Sequence, residues 1–461
     1  MAYRIAMGDL VSNIVPYHAG LLEKPEPVML AGLFYDTPWT RDASINTMSA
    51  GALLAPEVAR HTLLSVLEWR DGQAYIGGQY WDAIIWVRGA WSLYLTSGDV
   101  DFLRLAFAAT QNSLRYFEET EFDPEDGLFC GPACYGDGVA AYADVYALGP
   151  SSCILDWIKA NHPQKRERGF GLPMKALSTN CLYYDAYHIA TAMAGELQVE
   201  ANAAWAEKAA ALRSAINRHF WRAEAGSYRY LVDPFGGDER QEGFGLAFAI
   251  LLGVADASQC EAIFQNHYST AFGIPCLWPT YERYQTGDSS HIGRHSGCIW
   301  PQINAAWAEA AASRGKTGIF GGELKSLAAL ACRDGQFAEV YHPVTGAIYG
   351  GLQEEGADRV IQEYFACFRQ TWCATGFLRM IYFGLLGLRL EPAGLRFEPC
   401  VPEGFEQIVL RGLPYRGGAL DITVKGSGNK VADYHVNGVP HGIGEALKAD
   451  AKEVTITMAH R

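Results

Sequence analysis

The sequence predicts a mainly α-helical protein that ends in a small region of β-strands. Three observations lead there. Apolar residues recur at helical spacing through most of the chain up to Leu390. Several consecutive helical segments are separated by breaks of only a few residues, the pattern of stacked helical hairpins. After Gly394 the texture changes to short alternating runs punctuated by Gly, Pro and Asn, which is strand and turn chemistry.

In chain order, helices are expected near Asp42–Leu54, Pro56–Trp69, Tyr80–Thr96, Val100–Glu118, Tyr183–Leu197, Ala201–Trp221, Gly243–Leu252, Cys298–Ala312, Thr317–Ala331 and Phe368–Leu385. Ser97 and Asp99 stand where a cap for the helix at Val100 belongs. Five strands are expected at Leu395–Pro399, Gln407–Leu410, Ala419–Val424, Ala432–Val436 and Glu453–Met458. The helical body then covers 1–390 and a β-sandwich-like domain 391–461, with no low-complexity linker between them. Long loops at Asp36–Arg41, Asp71–Gln79, Asp123–Lys175, Phe272–Gly297 and Arg333–Arg359 are the natural home of a binding site on such a scaffold.

Composition narrows the function. With 49% hydrophobic and 19% charged residues, the 461-residue chain can bury one large core. A net charge of −14 and a basic run no longer than Lys165-Arg166-Glu167-Arg168 argue against nucleic acid or an anionic membrane as partner. The first residues lack the apolar core of a signal peptide, and no apolar run is long enough for a membrane span, so a cytoplasmic protein is expected. The eleven cysteines lack CxxC spacing, and several sit among apolar residues, so they read as reduced thiols and not as metal ligands.

Five short stretches combine carboxylates, guanidinium groups and aromatic rings. Tyr35-Asp36-Thr37-Pro38-Trp39-Thr40-Arg41-Asp42 opens a helix, where capping explains Asp42 but not Trp39 or Arg41. Gln79-Tyr80-Trp81-Asp82 opens another. Asp126-Gly127-Leu128 leads to Asp137 between two glycines. Arg294-His295-Ser296-Gly297-Cys298-Ile299-Trp300-Pro301 joins a basic loop to an aromatic helix start, with Trp278, Tyr281 and Tyr284 upstream. Glu339-Val340-Tyr341-His342-Pro343 places one carboxylate between aromatic residues before a turn. Sugars are bound by such mixtures, because their CH faces stack on rings while their hydroxyls need fixed donors and acceptors.

With those stretches and their order along the chain, the sequence resembles the six-hairpin, (α/α)6-barrel glycosidases. Among these are glucoamylases, family 63 glucosidases with the glucosylglycerate and mannosylglycerate hydrolases, and the family 65 and 94 phosphorylases. A tail containing Gln370-Thr371-Trp372-Cys373-Ala374-Thr375-Gly376 and Gly394-Leu395-Arg396-Phe397-Glu398-Pro399 resembles the barrel-to-β-domain junction of the phosphorylases. The large N-terminal β-domain of the phosphorylases is missing. The spacing from Glu339 to Trp372 is longer than in family 63, which leaves Glu363 as a rival for the base.

The resemblance implies an (α/α)6 barrel and an inverting, exo-acting glycoside hydrolase for an α-glucoside or α-mannoside. Asp137 would be the acid and Glu339 the base, with Asp137 kept protonated by an apolar wall such as Tyr135 and Tyr142. Arg41 and Asp42 would hold the terminal sugar's hydroxyls. Trp39, Trp81, Trp278 and Trp300 would wall the pocket, with Asp82, Arg294, His295, Tyr341 and Glu363 as further binding residues. The implied partner is a small carbohydrate, with no metal or organic cofactor. A glycoside phosphorylase and a non-catalytic sugar-binding protein on the same scaffold remain the alternatives.

Overall fold

Helices that are apolar on every side must be buried on every side, whereas one-sided helices belong on the outside. In the computed structural model, which describes residues 1–148, 151–161, 171–285, 291–355, 360–447 and 451–459, both kinds occur in alternation. The longer helices are α1 (Ala2–Ser12), α2 (Thr40–Asn46), α3 (Pro56–Leu64), α4 (Trp86–Ser97), α5 (Val100–Thr120) and α6 (Leu177–Leu197). They continue as α7 (Ala204–Phe220), α8 (Gly243–Leu251), α9 (Ala257–Asn266), α10 (Pro301–Ser313), α11 (Thr317–Asp334) and α12 (Thr371–Arg379).

The even-numbered helices close a circuit in which each packs on the next and α12 returns to α2. All of α2 and nearly all of α8 and α10 are buried. The odd-numbered helices pack outside this circuit: α3 on α2 and α4, α5 on α4 and α6, α7 on α6, α11 on α10, and α1 on α11 and α12. In α5 the buried positions, among them Phe102, Leu103, Ala106, Thr110, Ser113 and Phe117, fall on one helical face. Asp99 caps α5 as expected, accepting from the Phe102 N–H.

Several boundaries differ from the sequence reading. The expected helix Pro56–Trp69 ends at Leu64, and Leu67–Arg70 pairs with Gln73–Ile76 as a hairpin. Its turn is Asp71-Gly72 with φ of 50° and 76°, the Asp-Gly signature of a two-residue hairpin loop. The expected helix from Tyr80 starts as a 3-10 turn, Ala83–Ile85, and becomes α4 at Trp86. The helix expected at Phe368 begins only at Thr371 and passes into a π-helical turn, Met380–Leu385. Besides the short helix Asp156–Ala160, two of these twelve helices were not expected. One is α1, which closes the circuit on the outside. The other is α9, whose Asp256 and Gln259 form a capping box that the sequence does display.

Four of the five expected C-terminal strands, joined by the unexpected Val439–Pro440, form one five-stranded sheet, and the expected Leu395–Pro399 strand lies outside it. Its spatial order is Gln407–Tyr415, Gly418–Lys425, Glu453–Met458, Val431–Val436 and Val439–Pro440, with Gly418–Lys425 and Glu453–Met458 parallel. A separate hairpin, Leu388–Glu391 with Gly394–Phe397, precedes it. The described residues thus contain a single sheet of that size rather than a two-sheet sandwich. No helix among them is long and apolar enough to cross a membrane. The basic stretch 165–168 lies outside the described residues.

Candidate active site

Four inner helices begin at one cavity of about 300 Å³. Trp39, Arg41 and Asp42 reach it from the start of α2, Asp82 from the turn leading into α4, Trp300 from the N-cap of α10, and Gln370 and Trp372 from the start of α12. The helix ends therefore direct their N–H groups and positive dipole ends toward this cavity.

Asp137 is carried by the long loop after α5, and the buried N-terminus of α6 holds that loop. Ser178 Oγ accepts from the Cys134 N–H at 3.0 Å, Thr179 Oγ1 donates to the Pro132 carbonyl at 2.6 Å, and Asn180 bonds both the N–H and carbonyl of Phe129. This explains why α6 starts at Leu177 and not at Tyr183: its first polar residues spend their side chains on the loop. Asp137 then faces the cavity with its side chain 40% exposed. Arg41 Nη2 lies 3.6 Å from Oδ2 and His295 Nε2 lies 3.4 Å from Oδ1.

The expected apolar wall around Asp137 is not there. The Tyr142 hydroxyl is turned back into the loop, donating to the Gly136 carbonyl, and Tyr135 lies behind His295. Burial by itself raises the Asp137 carboxyl, but Arg41 and His295 outweigh it and hold it below the ordinary range. In the free site Asp137 is thus placed among cations and not desolvated into its acid form. Burial prevails elsewhere in the same cluster. It lifts Asp82 to about 7 against the pull of Arg41, and Asp42 well above the usual carboxylate range, with Glu339, Asp137 and Asp82 repelling its charge.

Glu339 is buried on the segment between α11 and α12. It accepts from the Tyr35 hydroxyl at 2.9 Å on Oε1, and from Arg294 Nη2 at 2.8 Å and the Cys367 N–H at 3.0 Å on Oε2. Arg294 is itself fixed by the Gly350 carbonyl at 2.8 Å and lies over the Trp300 ring. Arg41 bonds the Cys134 carbonyl at 3.0 Å, sits 3.3 Å from Asp82 and covers Trp372. Each guanidinium is thus committed to a carboxylate, a carbonyl and a ring.

Of the residues singled out from sequence, Trp39, Arg41, Asp42, Asp82, Asp137, Arg294, His295, Trp300 and Glu339 line this one cavity. Four do not. Trp81 is fully buried core, edge-on to Tyr80. Trp278 stacks on Tyr268 at 4.0 Å between ring centres, away from the cavity lining. Tyr341 is buried in a small cluster with Ile299, Leu330 and Ala338, where its hydroxyl accepts from the Ala338 N–H. Glu363 is exposed at the end of the Val360–Glu363 strand, outside the cavity lining. The sequence reading missed Gln353, Tyr364 and Gln370, which line the cavity. Single Gln and Tyr residues carry no pattern that marks them as cavity residues, even where Gln370 stands in the Gln370–Gly376 stretch of the tail. His342 accepts from the N–H groups of Val344 and Thr345, so it shapes the turn. Asp126 pairs with Lys175, far from this cavity. Among the described residues no cluster of His, Cys, Asp and Glu is arranged to hold a metal.

This combination of helical circuit and carboxylate-lined cavity is that of the six-hairpin glycosidase-like folds. A sialidase structure is similar over 97% of this chain with a TM-score of 0.66 at 14% identity, and a family 78 rhamnosidase from Bacillus sp. GL1 over 100% with 0.57 at 13%. The chain spans 40% of the former and 43% of the latter. A family 63 mannosylglycerate hydrolase from Thermus thermophilus, in complex with glucose, is similar over 83% of this chain and 100% of its own, with a TM-score of 0.60 at 16% identity. No curated protein sequence matches. The mannosylglycerate hydrolase MGH1-like glycoside hydrolase domain matches residues 82–359, well over half of the chain, and the protein belongs to that family. The match includes Asp82, Asp137, Arg294, His295, Trp300 and Glu339, whereas Trp39, Arg41 and Asp42 lie upstream of it.

Proposed function

We propose that the protein is an inverting, exo-acting glycoside hydrolase that removes an α-glucosyl or α-mannosyl unit from a small glycoside. In this reading residues 1–390 form an (α/α)6 barrel and 391–461 a strand domain appended to it. The observation that carries the proposal is the sharing of one cavity by two carboxylates of different surroundings. Glu339 is buried and fixed by three donors, and Asp137 is open to the cavity. Inversion needs such a pair on opposite faces of the sugar, roughly 6.5–9.5 Å apart, so that water fits between base and anomeric carbon. The glucose bound by the Thermus thermophilus relative supports a hexose as the occupant.

In the mechanism, Glu339 takes a proton from water as the water attacks the anomeric carbon, and Asp137 gives one to the departing oxygen. Arg294 and the Cys367 N–H orient the base, while Arg41, Asp42 and Asp82 hold sugar hydroxyls. Because Arg41 disfavours a proton on Asp137, the substrate must weaken that contact on binding. The alkaline limb of kcat therefore lies at higher pH than that of kcat/KM, since the first reports the complex and the second the free enzyme.

Phosphorolysis would need a cation free to bind phosphate. Both guanidiniums among the described lining residues are already paired, which supports water as the acceptor. Incubation with α-glucosides and α-mannosides, with and without phosphate, followed by NMR of the first-formed anomer, tests the proposal. The expected product is the β-anomer, independent of phosphate. A retained anomer, a sugar phosphate, or binding without turnover of any glycoside would each overturn it.

A further inference from the structure

His295 is 3% exposed, stacked on Trp300 at 5.0 Å between ring centres, and reaches both a neutral amide and the proposed acid. Its Nδ1 lies 3.2 Å from Gln353 Oε1 and its Nε2 lies 3.4 Å from Asp137 Oδ1. An amide oxygen only accepts, so Nδ1 carries the hydrogen of that bond. A neutral imidazole protonated at Nδ1 presents a lone pair at Nε2. Nε2 then faces a carboxyl oxygen, and the contact is attractive only with a proton between them.

The triad is built tightly. A methyl group on Gly138, next to Asp137, would come within 2.1 Å of Gln353 Oε1 and 2.6 Å of His295 Nδ1. Gln353 is buried and belongs to the strand paired with Val360–Glu363. We infer that Asp137 and His295 hold a single proton between them, and that His295, oriented by Gln353, is the positioning residue that supplies the acid with its proton. The inference rests on Asp137 being the proton donor.

The proton has two seats: Asp137 Oδ1–H donating to a neutral imidazole, or an imidazolium Nε2–H donating to a carboxylate. The charged groups that face the pair are Arg41 from α2 and Arg294 from the adjoining loop position, with Asp82 beyond Arg41. Burial and the two guanidiniums disfavour the imidazolium, opposed by Asp137 itself. When the glycosidic bond breaks, the proton passes from Asp137 Oδ1 to the leaving oxygen. That leaves a carboxylate beside a neutral imidazole, Glu339 holds the proton taken from water, and solvent restores both. Titration of such a coupled pair belongs to the pair and not to either group.

The direction of a pH shift decides the matter. In His295→Gln the acid keeps Arg41, which disfavours a proton on it, but loses the imidazole that is the proton's second seat. The alkaline limb of kcat/KM should then move to lower pH by about one unit, so that at a pH above the limb the rate on a methyl glycoside falls about tenfold relative to that on a dinitrophenyl glycoside. A limb that moves to higher pH would mean that a neutral imidazole protonated at Nε2 donates to an ionised Asp137, and a limb that stays would mean a packing role. Either result overturns the inference. Nitrogen-15 NMR of the imidazole in the unsubstituted protein provides a readout that does not depend on the variant folding. Nδ1–H with an accepting Nε2 is expected below the limb, and a neutral ring protonated at Nε2 would refute it. Should no glycoside be turned over, the hydrolase reading fails, while the NMR result still settles where the proton sits.

Discussion

Arg41 lies within 3.6 Å of both Asp82 and Asp137, so no carboxylate of the site can be altered without its neighbours responding. With Asp137 as the proposed proton donor, Asp137→Asn should slow glycosides with poor leaving groups far more than activated ones, whereas Glu339→Gln should slow both. Losses of roughly 10²–10⁴-fold are expected, read from steady-state rates on a methyl and a dinitrophenyl glycoside. Equal losses on both substrates in Asp137→Asn would remove Asp137 from the acid role. Asp42 sits in the first turn of α2, where a cap would affect stability alone. As a substrate ligand it should instead cost about 10–100-fold in kcat/KM in Asp42→Asn, the equivalent of one hydrogen bond to a charged group. Unchanged kinetics with a lowered Tm would return it to the capping role.

At the scale of elements, the start of α6 holds the Asp137 loop in place. Asn180 accepts from the Phe129 N–H at 2.8 Å and donates to the carbonyls of Phe129 at 3.0 Å and Ala176 at 2.9 Å. Asn180→Ala leaves buried backbone groups without partners, at about 1–3 kcal/mol each. An unfolding free energy from denaturant titration lowered by less than about 1 kcal/mol would show that the loop is held otherwise. Glu242, the N-cap of α8, is fully buried and accepts from the Ser178 N–H at the start of α6. Burial raises its carboxyl from 4.5 to about 8, so the fold binds a proton that the unfolded chain releases above about 4.5. Its contribution is complete below that value and lost as pH rises toward about 8, after which it no longer changes. Glu242→Gln should therefore flatten the fall of Tm between about pH 5 and 8. A slope identical to that of the unsubstituted protein would assign the effect to other groups.

For the whole molecule, α1 is the outer partner of α12 and is tied to the segment that carries Glu339. Asp9 Oδ2 accepts from the Phe337 N–H at 2.7 Å, two residues before Glu339, and Asn13 donates to Thr371 Oγ1 at 2.9 Å. Deleting residues 1–12 uncovers the apolar faces of α11 and α12 and frees the Phe337 N–H. The shortened chain should lose cooperative unfolding and activity together, measured by calorimetry and turnover. A chain that melts as before would show that the circuit closes without α1.

The alternation of helical segments, most of the late strands and the nine of thirteen candidate residues that line the cavity were legible because each rests on local pattern. Pro301 at a helix start, an Asp between glycines, and a Trp beside Arg and Asp are visible in a few consecutive positions. The Asp71-Gly72 hairpin and the Asp256–Gln259 capping box were equally local, and the sequence displays them. What the sequence could not contain was distance. Trp81 and Trp278 look like pocket walls beside their neighbours, yet one points into the core and the other onto Tyr268. Gln353, 58 positions from His295 in the chain, meets it only because the hairpin folds over the loop. The sequence by itself determined which residue types are available for acid, base and hydroxyl-binding roles, since those depend on side-chain chemistry. Only the tertiary structure decided their charge states, because a carboxyl's proton depends on which groups lie within a few ångströms. That is why Asp137, expected in an apolar wall, stands between a guanidinium and an imidazole.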